Sequence, residues 1–239
     1  MIYHLSSTTS TNDDAKSERY RDGDIVWADF QSAGRGQRGH QWESRAGENL
    51  TFSVVLEPRF LPVVEQFLLS EAVALSLVDL LALYGIDARI KWTNDIYVGD
   101  SKIVGILIEH IYSGSNLART VVGIGINVNQ SEFSPLLPNP TSMALLTARR
   151  FDTERVLHDF EQCLHRCYAL LREGEKQALQ SRYNSLLYRL DEPHTFALPD
   201  GTRFTGTIRG VKPMGDLLVE DENGVVKGYL FKEIEFVIR

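Results

Sequence analysis

The sequence predicts an α+β fold: a mixed β-sheet with helices packed on one side, followed by a small C-terminal β barrel of SH3-like size. Three observations predict it. Strand-like runs rich in β-branched residues recur between residues 2 and 129, three stretches have the apolar spacing of helices, and short alternating strands with hairpin turns begin near residue 190. We therefore divide the chain into a main domain, residues 1–189, and a barrel domain, residues 190–239.

The composition indicates a globular protein. Of the 239 residues, 43% are hydrophobic and 24% are charged, as is typical of a domain that buries its own core. The net charge of −7 argues against binding to DNA, which needs a basic surface. No apolar run is expected to cross a membrane, and the first residues lack the basic start and apolar core of a signal peptide. With only two cysteines, a reduced, cytoplasmic setting fits best.

A run of hydroxyl and amide side chains follows the first predicted strand, residues 2–5. Ser10, Thr11 or Asn12 can cap a helix that begins near Asp13, because their oxygens accept hydrogen bonds from free backbone N–H groups. The same side chains can instead bind a polar, uncharged group of a ligand. The sequence does not separate these two interpretations, and both can hold.

A glycine-rich loop connects the predicted strands 24–30 and 51–57. Its glycines match the dinucleotide fingerprint G-x-G-x-x-G: Gly34, Gly36 and Gly39. We reject that interpretation, because the fingerprint needs a helix that faces the pyrophosphate, whereas a strand pattern follows here. Arg35 and Arg38 favour a loop that folds over an anion, with Trp42 stacked on a base or covering the site. The alternative is a mobile surface loop.

The centre of the chain places charged side chains in an apolar setting. Asn94, Asp95 and Lys102 lie between two predicted strands, residues 88–92 and 103–109. Lys102 is suited to stabilise charge that develops on a phosphate or carboxylate, and Asp95 to hold a magnesium ion alongside substrate phosphates. A hairpin with solvated charges at its tip is the alternative. The P-loop pattern G-x-x-x-x-G-K-[ST] is not present in the sequence.

A buried strand follows at residues 120–129. It is interrupted by Gly123 and Gly125 and ends with Asn127 and Asn129. Glycine inside a strand often marks the close approach of a ligand. The arginine–glycine loop, the charged hairpin and this strand together predict a site for a nucleotide and a second ligand.

Helices and barrel strands complete the prediction. The helices span residues 62–84, 153–171 and 175–188. The barrel strands span residues 203–209, 217–220, 225–230 and 234–238, with hairpin signals at Asp200-Gly201 and Asn223-Gly224. Cys163, His165 and Cys167 faintly suggest a metal cluster, but on a helix His165 points away from the two cysteines, which favours packing.

Five motifs, taken in order, resemble those of the biotin–protein ligases (biotin–[acetyl-CoA-carboxylase] ligases). They are Ser10-Thr11-Asn12; Gln31 followed by GRGQRGHQW at 34–42; KWTNDIYV at 91–98; KIVGILIE at 102–109; and GIGINVN at 123–129. The similarity runs over most of the chain, and five motifs in order are more specific than a single glycine pattern.

The resemblance implies that residues 1–189 form a biotin- and ATP-binding catalytic domain. Biotin and Mg-ATP would form biotinyl-5′-AMP, and a lysine of a biotin carboxyl carrier protein or domain would then displace AMP. The implied biotin contacts are Ser10, Thr11, Asn12, Gln31, Arg35, Gly36, Gln37, Lys102 and Gly105. The implied nucleotide contacts are Arg38, Trp42, Asn94 and Asn127, with Asp95 near the Mg²⁺. Lys102 and Arg35 are the implied catalytic residues.

Two positions depart from the best-known bacterial pattern of that family. Gln37 stands where the pattern has arginine, and Thr93 stands where it has proline. Since Gln37 removes one charge from the loop, we expect faster release of the adenylate. The Ser-Thr-Asn motif begins near residue 10, so we also expect a ligase without the N-terminal DNA-binding domain of the repressor members.

Two rival functions remain at the level of the sequence. A lipoate or octanoate ligase or transferase would share the fold, although the glycine loop and the barrel favour biotin. A sensor that binds biotin or a nucleotide without transferring it is the second rival. An edge strand of the sheet could pair with a second copy, giving a homodimer, or with the carrier.

Overall fold

A seven-stranded mixed sheet forms the centre of the main domain in the computed structural model, which describes residues 1–37 and 41–238. Its strands are β1 (Ile2–Leu5), β2 (Ile25–Ala28), β3 (Leu50–Leu56), β4 (Arg89–Lys91), β5 (Asp95–Val98), β6 (Ser101–Ser113) and β7 (Asn116–Ile126). They lie in the order β1-β2-β3-β7-β6-β5-β4. Only the β1–β2 pair is parallel among the described strands. The predicted mixed sheet is therefore confirmed.

Five α-helices accompany the sheet in the described part of the chain. They are α1 (Thr11–Ala15), α2 (Phe67–Leu83), α3 (Met143–Thr147), α4 (Thr153–Arg172) and α5 (Lys176–Ser185). Alternate side chains of a strand point to opposite faces, and the main core joins one face to α2 and α4 through residues such as Phe52 and Phe160. A second, smaller cluster joins Ala15 of α1 to Val26 and Val55 on the other face. The expectation of helices on one side is therefore wrong for α1.

The long apolar stretch in the middle of the chain is not one continuous helix. A short 3₁₀ turn, Val63–Glu65, precedes α2. The two together, Val63–Leu83, are long and apolar enough to cross a membrane by length and composition, which corrects the expectation that no run would be. In the fold, 67% of the apolar 18-residue window within that stretch is buried, because α2 packs between the sheet and α4.

The C-terminal part forms a five-stranded antiparallel sheet. Its strands are β8 (Pro193–Ala197), β9 (Arg203–Val211), β10 (Leu217–Asp221), β11 (Val226–Tyr229) and β12 (Glu235–Phe236). They lie in the order β11-β10-β9-β8-β12. The predicted hairpin turns are present, with Gly201 and Gly224 both at positive φ. A small antiparallel β unit therefore follows the main domain, as the sequence predicts.

Two elements were not expected from the sequence. The short strand β5 lies between the strands predicted at residues 88–92 and 103–109, and helix α3 follows a loop without a clear periodic pattern. Strand β5 is central to the site, because it places Asp95 opposite Gly105 of β6. Cys163 and Cys167 are both buried and free, as the packing interpretation predicts.

Candidate active site

A bare patch of sheet forms the floor of the candidate site. Gly105 of β6 and Gly125 of β7 are paired directly across the strands, and Gly123 lies two residues away on the same face. A Cβ added at Gly125 would lie 2.2 Å from Trp42 Cε2, and one added at Gly123 would lie 2.2 Å from Asn12 Oδ1. Other residues therefore come close to the sheet only because these three positions carry no side chain.

Uncharged polar groups gather at one end of this floor. The backbone N–H and the hydroxyl of Thr11 both donate to Gln31 Oε1, at 2.8 Å and 3.2 Å. Ser53 Oγ lies 2.8 Å from Thr11 Oγ1 and 2.5 Å from Asn12 Oδ1. Ser10 is buried at the start of α1, but its side chain makes no capping hydrogen bond. The capping interpretation is therefore wrong, and the Ser10 hydroxyl is available to a ligand.

A charged group lies beside the polar end. Arg35, from the glycine loop, contacts Glu109 of β6 through Nη2 at 2.5 Å. The same nitrogen lies 3.1 Å from Asp13 Oδ1. Asn12 Nδ2 donates to the same Glu109 oxygen at 2.9 Å. The start of the glycine loop is thus held against the sheet and α1 by ionic and hydrogen-bonding contacts.

The central hairpin supplies a second cation. Lys102 Nζ lies 2.6 Å from Asp95 Oδ1 and 5.8 Å from the centre of the Trp42 ring. Asp95 Oδ1 is buried, and Lys102 is the cation beside it. Trp42 Nε1 is buried without a hydrogen-bond partner among the described residues. An ion pair and an indole with an unused N–H donor therefore meet at this end of the floor.

Contacts with the chain after α5 fix the hairpin tip. Tyr188 Oη donates to Asp100 Oδ1 at 2.6 Å, and Arg189 Nη2 donates to the same oxygen at 2.7 Å. Both donors lower the pKa of the Asp100 carboxyl, and the hydrogen bond from Tyr188 has the larger effect. The backbone N–H of Lys102 also donates to Asn139 at 2.7 Å. The position of Lys102 is therefore set from both sides of the hairpin.

Most of the sequence-predicted site residues meet in one place. A narrow pocket of about 50 Å³ is lined by eleven of them. They are Ser10, Thr11, Asn12, Gln31, Arg35, Gly36, Gln37, Trp42, Asn94, Lys102 and Gly105. A wider cleft of about 500 Å³ adjoins it and includes Asp95. The roles given to these residues stay predictions, but their grouping agrees with a single site.

Two of the predicted site residues, Asn127 and Arg38, are not among the residues described as lining the narrow pocket. The Asn127 side chain is buried and donates to the Thr141 carbonyl at 2.9 Å, so it supports the loop beneath Lys102 and does not line the narrow pocket. Arg38 lies outside the described residues. Asn94 lines the pocket, although its amide nitrogen donates to the Ile106 carbonyl at 2.9 Å.

Glu109 and Ser53 are site residues that were not predicted from the sequence. Both contact predicted ligand residues: Glu109 contacts Arg35 and Asn12, and Ser53 contacts Thr11 and Asn12. Ser53 is, like Thr51, a polar residue in a mainly apolar strand, and this was an available signal. Glu109 ends an apolar run in the sequence, as charged residues commonly do at the end of a strand. Its role could not be predicted locally, because its contacts are with residues distant in the chain.

The C-terminal unit closes one side of the wider cleft. Trp92 Nε1 donates to the Gly215 carbonyl at 2.9 Å. Ile234 and Phe236 line the cleft together with Trp42 and Lys102. The narrow pocket therefore opens into a space bounded by both parts of the chain. An elongated ligand with a small uncharged end and an anionic middle would fit this sequence of surfaces.

Comparisons with known proteins identify the class to which this fold and site belong. Residues 1–127 match the model of the biotin/lipoate A/B protein ligase family. The chain therefore belongs to the biotin/lipoate A/B protein ligase family.

Individual relatives show which members of this family the chain is similar to. The chain is 31% identical over 229 residues to the biotin–[acetyl-CoA-carboxylase] ligase of Paracoccus denitrificans, covering 92% of this chain and 94% of that protein. It is 31% identical over 235 residues to the bifunctional ligase/repressor BirA of Bacillus subtilis, covering 96% of this chain and 72% of that protein. Among solved structures, the Aquifex aeolicus biotin protein ligase in complex with biotin and ATP has a TM-score of 0.81 and 26% identity, covering 100% and 99% of the two chains.

Proposed function

We propose that this protein is an ATP-dependent ligase that activates biotin as biotinyl-5′-AMP and transfers it to a lysine of a biotin carboxyl carrier domain. One observation carries the proposal: a single pocket joins an uncharged polar end, near Thr11 and Gln31, to a cationic end, near Arg35 and Lys102. Biotin has a polar ureido ring at one end and a carboxylate at the other, so its two ends match these surfaces. The relatives named as biotin ligases support the same assignment.

In the first step, the biotin carboxylate attacks the α-phosphorus of ATP. A carboxylate–phosphorus bond forms, and the bond from that phosphorus to pyrophosphate breaks. Two anions must approach each other, so Arg35 and Lys102 reduce their repulsion and stabilise the charge on the transferring group. The glycine floor lets the ligand lie directly on the strands, and Trp42 is placed to stack on the adenine.

The residues present fit a magnesium ion that is held mainly by the nucleotide. Asp95 offers one carboxylate, whose Oδ1 is paired with Lys102 at 2.6 Å, and the described residues form no cluster of three His, Cys, Asp or Glu ligands. Mg²⁺ commonly binds one carboxylate together with substrate phosphates and waters. When bound, it would neutralise phosphate charge next to Lys102.

In the second step, a carrier lysine attacks the acyl carbon of the adenylate. The new C–N bond replaces the C–O bond, AMP leaves, and the amine loses a proton. The wider cleft between Lys102 and Phe236 offers the approach for that lysine. We propose that the carrier, or a second copy of this chain in a homodimer, pairs with an edge strand of the sheet. A cytoplasmic location agrees with the two free cysteines.

The lipoate or octanoate alternative fits the pocket less well. Either acid would bring an apolar end to a surface built from the Ser10 hydroxyl, the Thr11 hydroxyl and the Gln31 amide. The buried Ser10 hydroxyl, which makes no capping hydrogen bond, would then face an apolar group, at a cost of about 1–3 kcal/mol for a polar group left without a partner. The ureido ring of biotin would offer that hydroxyl a partner instead.

The test of the proposed function measures pyrophosphate release with Mg-ATP and each of three acids: biotin, lipoate and octanoate. We expect release with biotin alone and detection of biotinyl-5′-AMP by mass spectrometry. Release with lipoate or octanoate in place of biotin would move the substrate assignment. Absence of release with all three acids would favour a sensor that binds without catalysis.

Substitutions at Gly123 and Gly125 should affect the two ends of the site separately. Gly123→Ala brings a Cβ against Asn12 and should weaken biotin binding, whereas Gly125→Ala brings one against Trp42 and should weaken ATP binding. Titration calorimetry with each ligand alone measures both effects, and we expect each to be about tenfold. Gly228→Ala is the matched control, because its Cβ would meet first the flexible end of Lys212, at 3.1 Å. Equal loss of both ligands in both variants would contradict this division.

Gln37 should raise the rate at which the adenylate dissociates from the protein, compared with an arginine at this position. Its side chain lines the pocket but carries no charge, so Gln37→Arg adds a cation beside the phosphoryl group and should slow adenylate release by roughly tenfold. The measurement is the dissociation rate of preformed biotinyl-5′-AMP from each protein. Identical rates in the wild type and the variant would show that Gln37 does not govern retention.

A further inference from the structure

Four charged side chains form a closed ring at the edge of the site. Lys16 Nζ lies 3.0 Å from Asp13 and 3.2 Å from Glu109, while Arg35 Nη2 lies 2.5 Å from Glu109 and 3.1 Å from Asp13. Acids and bases therefore alternate around the ring. It connects three separate parts of the chain: helix α1 and the residue after it, the glycine loop, and strand β6.

Glu109 differs from the other acid of the ring because it also contacts a buried group of the pocket. Its Oε2 accepts from both Arg35 Nη2 and Asn12 Nδ2. Asn12 Oδ1 in turn accepts from Ser53 Oγ at 2.5 Å. One carboxylate oxygen thus fixes the orientation of the Asn12 amide and the position of the Arg35 guanidinium.

We propose that Glu109 is a positioning residue that holds Arg35 in reach of the anionic part of the ligand while it orients Asn12 at the uncharged end. This inference rests on the proposed function and names a residue through which the two ends of that site are coupled. Both acids of the ring meet Arg35 through Nη2. The remaining N–H groups of the guanidinium fork are left for the biotin carboxylate or the α-phosphate.

The role of Glu109 is exerted through Arg35, so the two residues should not act independently. Glu109→Gln keeps an acceptor for Asn12 but removes the charge that holds Arg35. Arg35→Gln removes the guanidinium itself. We expect each single variant to weaken biotin binding by about tenfold and the double variant to bind no more weakly than Arg35→Gln alone.

A second readout needs neither ligand nor activity. In the ligand-free protein, Glu109→Gln should raise the rate of tryptic cleavage after Arg35 several-fold, because charge-assisted contacts no longer hold this part of the loop. Asp13→Asn, which removes the longer of the two Arg35 contacts, should give a smaller increase. Glu132→Gln is the matched control, since it breaks the 2.8 Å ion pair with Arg45 and should leave both the cleavage rate and biotin binding unchanged.

The outcomes separate the two proposals. A wild-type protein that forms no adenylate contradicts the proposed function, whereas the cleavage experiment still tests how Glu109 holds the loop. Additive losses of biotin binding in the double variant overturn the positioning role, and so does an unchanged cleavage rate in Glu109→Gln. Equal melting temperatures of wild type and variants exclude unfolding as the cause of either effect.

Discussion

Replacing Lys102 with alanine is expected to lower the rate of biotin-dependent pyrophosphate release by at least about a hundredfold, the usual effect of removing one preorganised charge from a transition state. Lys102 lines the narrow pocket and the adjoining cleft, where the acid and the nucleotide would meet. Its ammonium group lies between the Asp95 carboxylate and the Trp42 ring. No other lysine lines the narrow pocket among the described residues.

The fold should survive that substitution. The structural contacts of residue 102 include backbone hydrogen bonds, to Asn139 at 2.7 Å and from Thr141 at 2.9 Å, and alanine preserves them. The cost is that the largely buried Asp95 carboxylate loses the cation beside it, so we expect a loss of stability of about 1–3 kcal/mol. Single-turnover assays measure adenylate formation, while circular dichroism and the melting temperature measure folding.

Two further variants make the Lys102 experiment specific. Lys102→Arg keeps the charge and should recover part of the rate, although its broader head group will not match a compact ammonium. Lys176→Ala breaks a 2.5 Å ion pair with Glu65 outside the pocket and should leave adenylate formation unchanged. Unfolding of Lys102→Ala would assign Lys102 a structural role. A normal rate in that variant would remove it from the catalytic residues.

The sequence was most informative where short patterns have one physical meaning. Strand β1 spans the residues expected of it, and the glycines at 105, 123 and 125 do lie where other groups approach the sheet. The conflict between the glycine fingerprint and the strand that follows it also excluded the dinucleotide fold correctly. In these cases local chemistry and tertiary structure agree, so sequence reasoning needed no knowledge of distant contacts.

The sequence was least informative where tertiary contacts decide the role of a side chain. The hydroxyls at 10 and 11 are good helix caps by propensity, yet Thr11 contacts Gln31 and Ser53 instead. Asn127 ends a glycine strand as a ligand residue would, yet its amide donates to the Thr141 carbonyl. Each of these contacts joins residues at least fourteen positions apart, and no local pattern reports them.

The second prediction with a large expected effect concerns the free energy of unfolding and Glu71, a residue outside the site. Glu71 of α2 is fully buried, and neither carboxyl oxygen has a hydrogen-bond partner among the described residues. Burial therefore raises the pKa of Glu71 to about 8. At neutral pH the folded protein holds this side chain mainly as the uncharged acid, within the apolar core.

The sign of the resulting pH dependence follows from proton binding. The pKa of Glu71 rises from its ordinary value of 4.5 to about 8 in the fold, so between these values the unfolded chain releases a proton that the folded chain keeps. Deprotonation of Glu71 therefore favours the unfolded chain. The free energy of unfolding is highest below pH 4.5 and falls as the pH rises through about 8. Between about pH 6.5 and about pH 8.5 we expect a loss of roughly 2 kcal/mol, or about 5 °C in melting temperature.

Glu71→Gln should remove most of this pH dependence, because the amide has nearly the same shape and does not ionise. Melting temperatures of the wild type and the variant are measured across the same pH range. The variant should be the more stable protein throughout, because unfolded Glu71 is already ionised above pH 4.5. The gap should widen toward the alkaline end, since the melting temperature of the wild type falls there and that of the variant does not. Glu222→Gln, in an exposed turn, controls for the loss of one negative charge and should parallel the wild type. Parallel curves for wild type and Glu71→Gln would mean that the Glu71 carboxyl is already ionised in the fold, with a partner outside the described contacts.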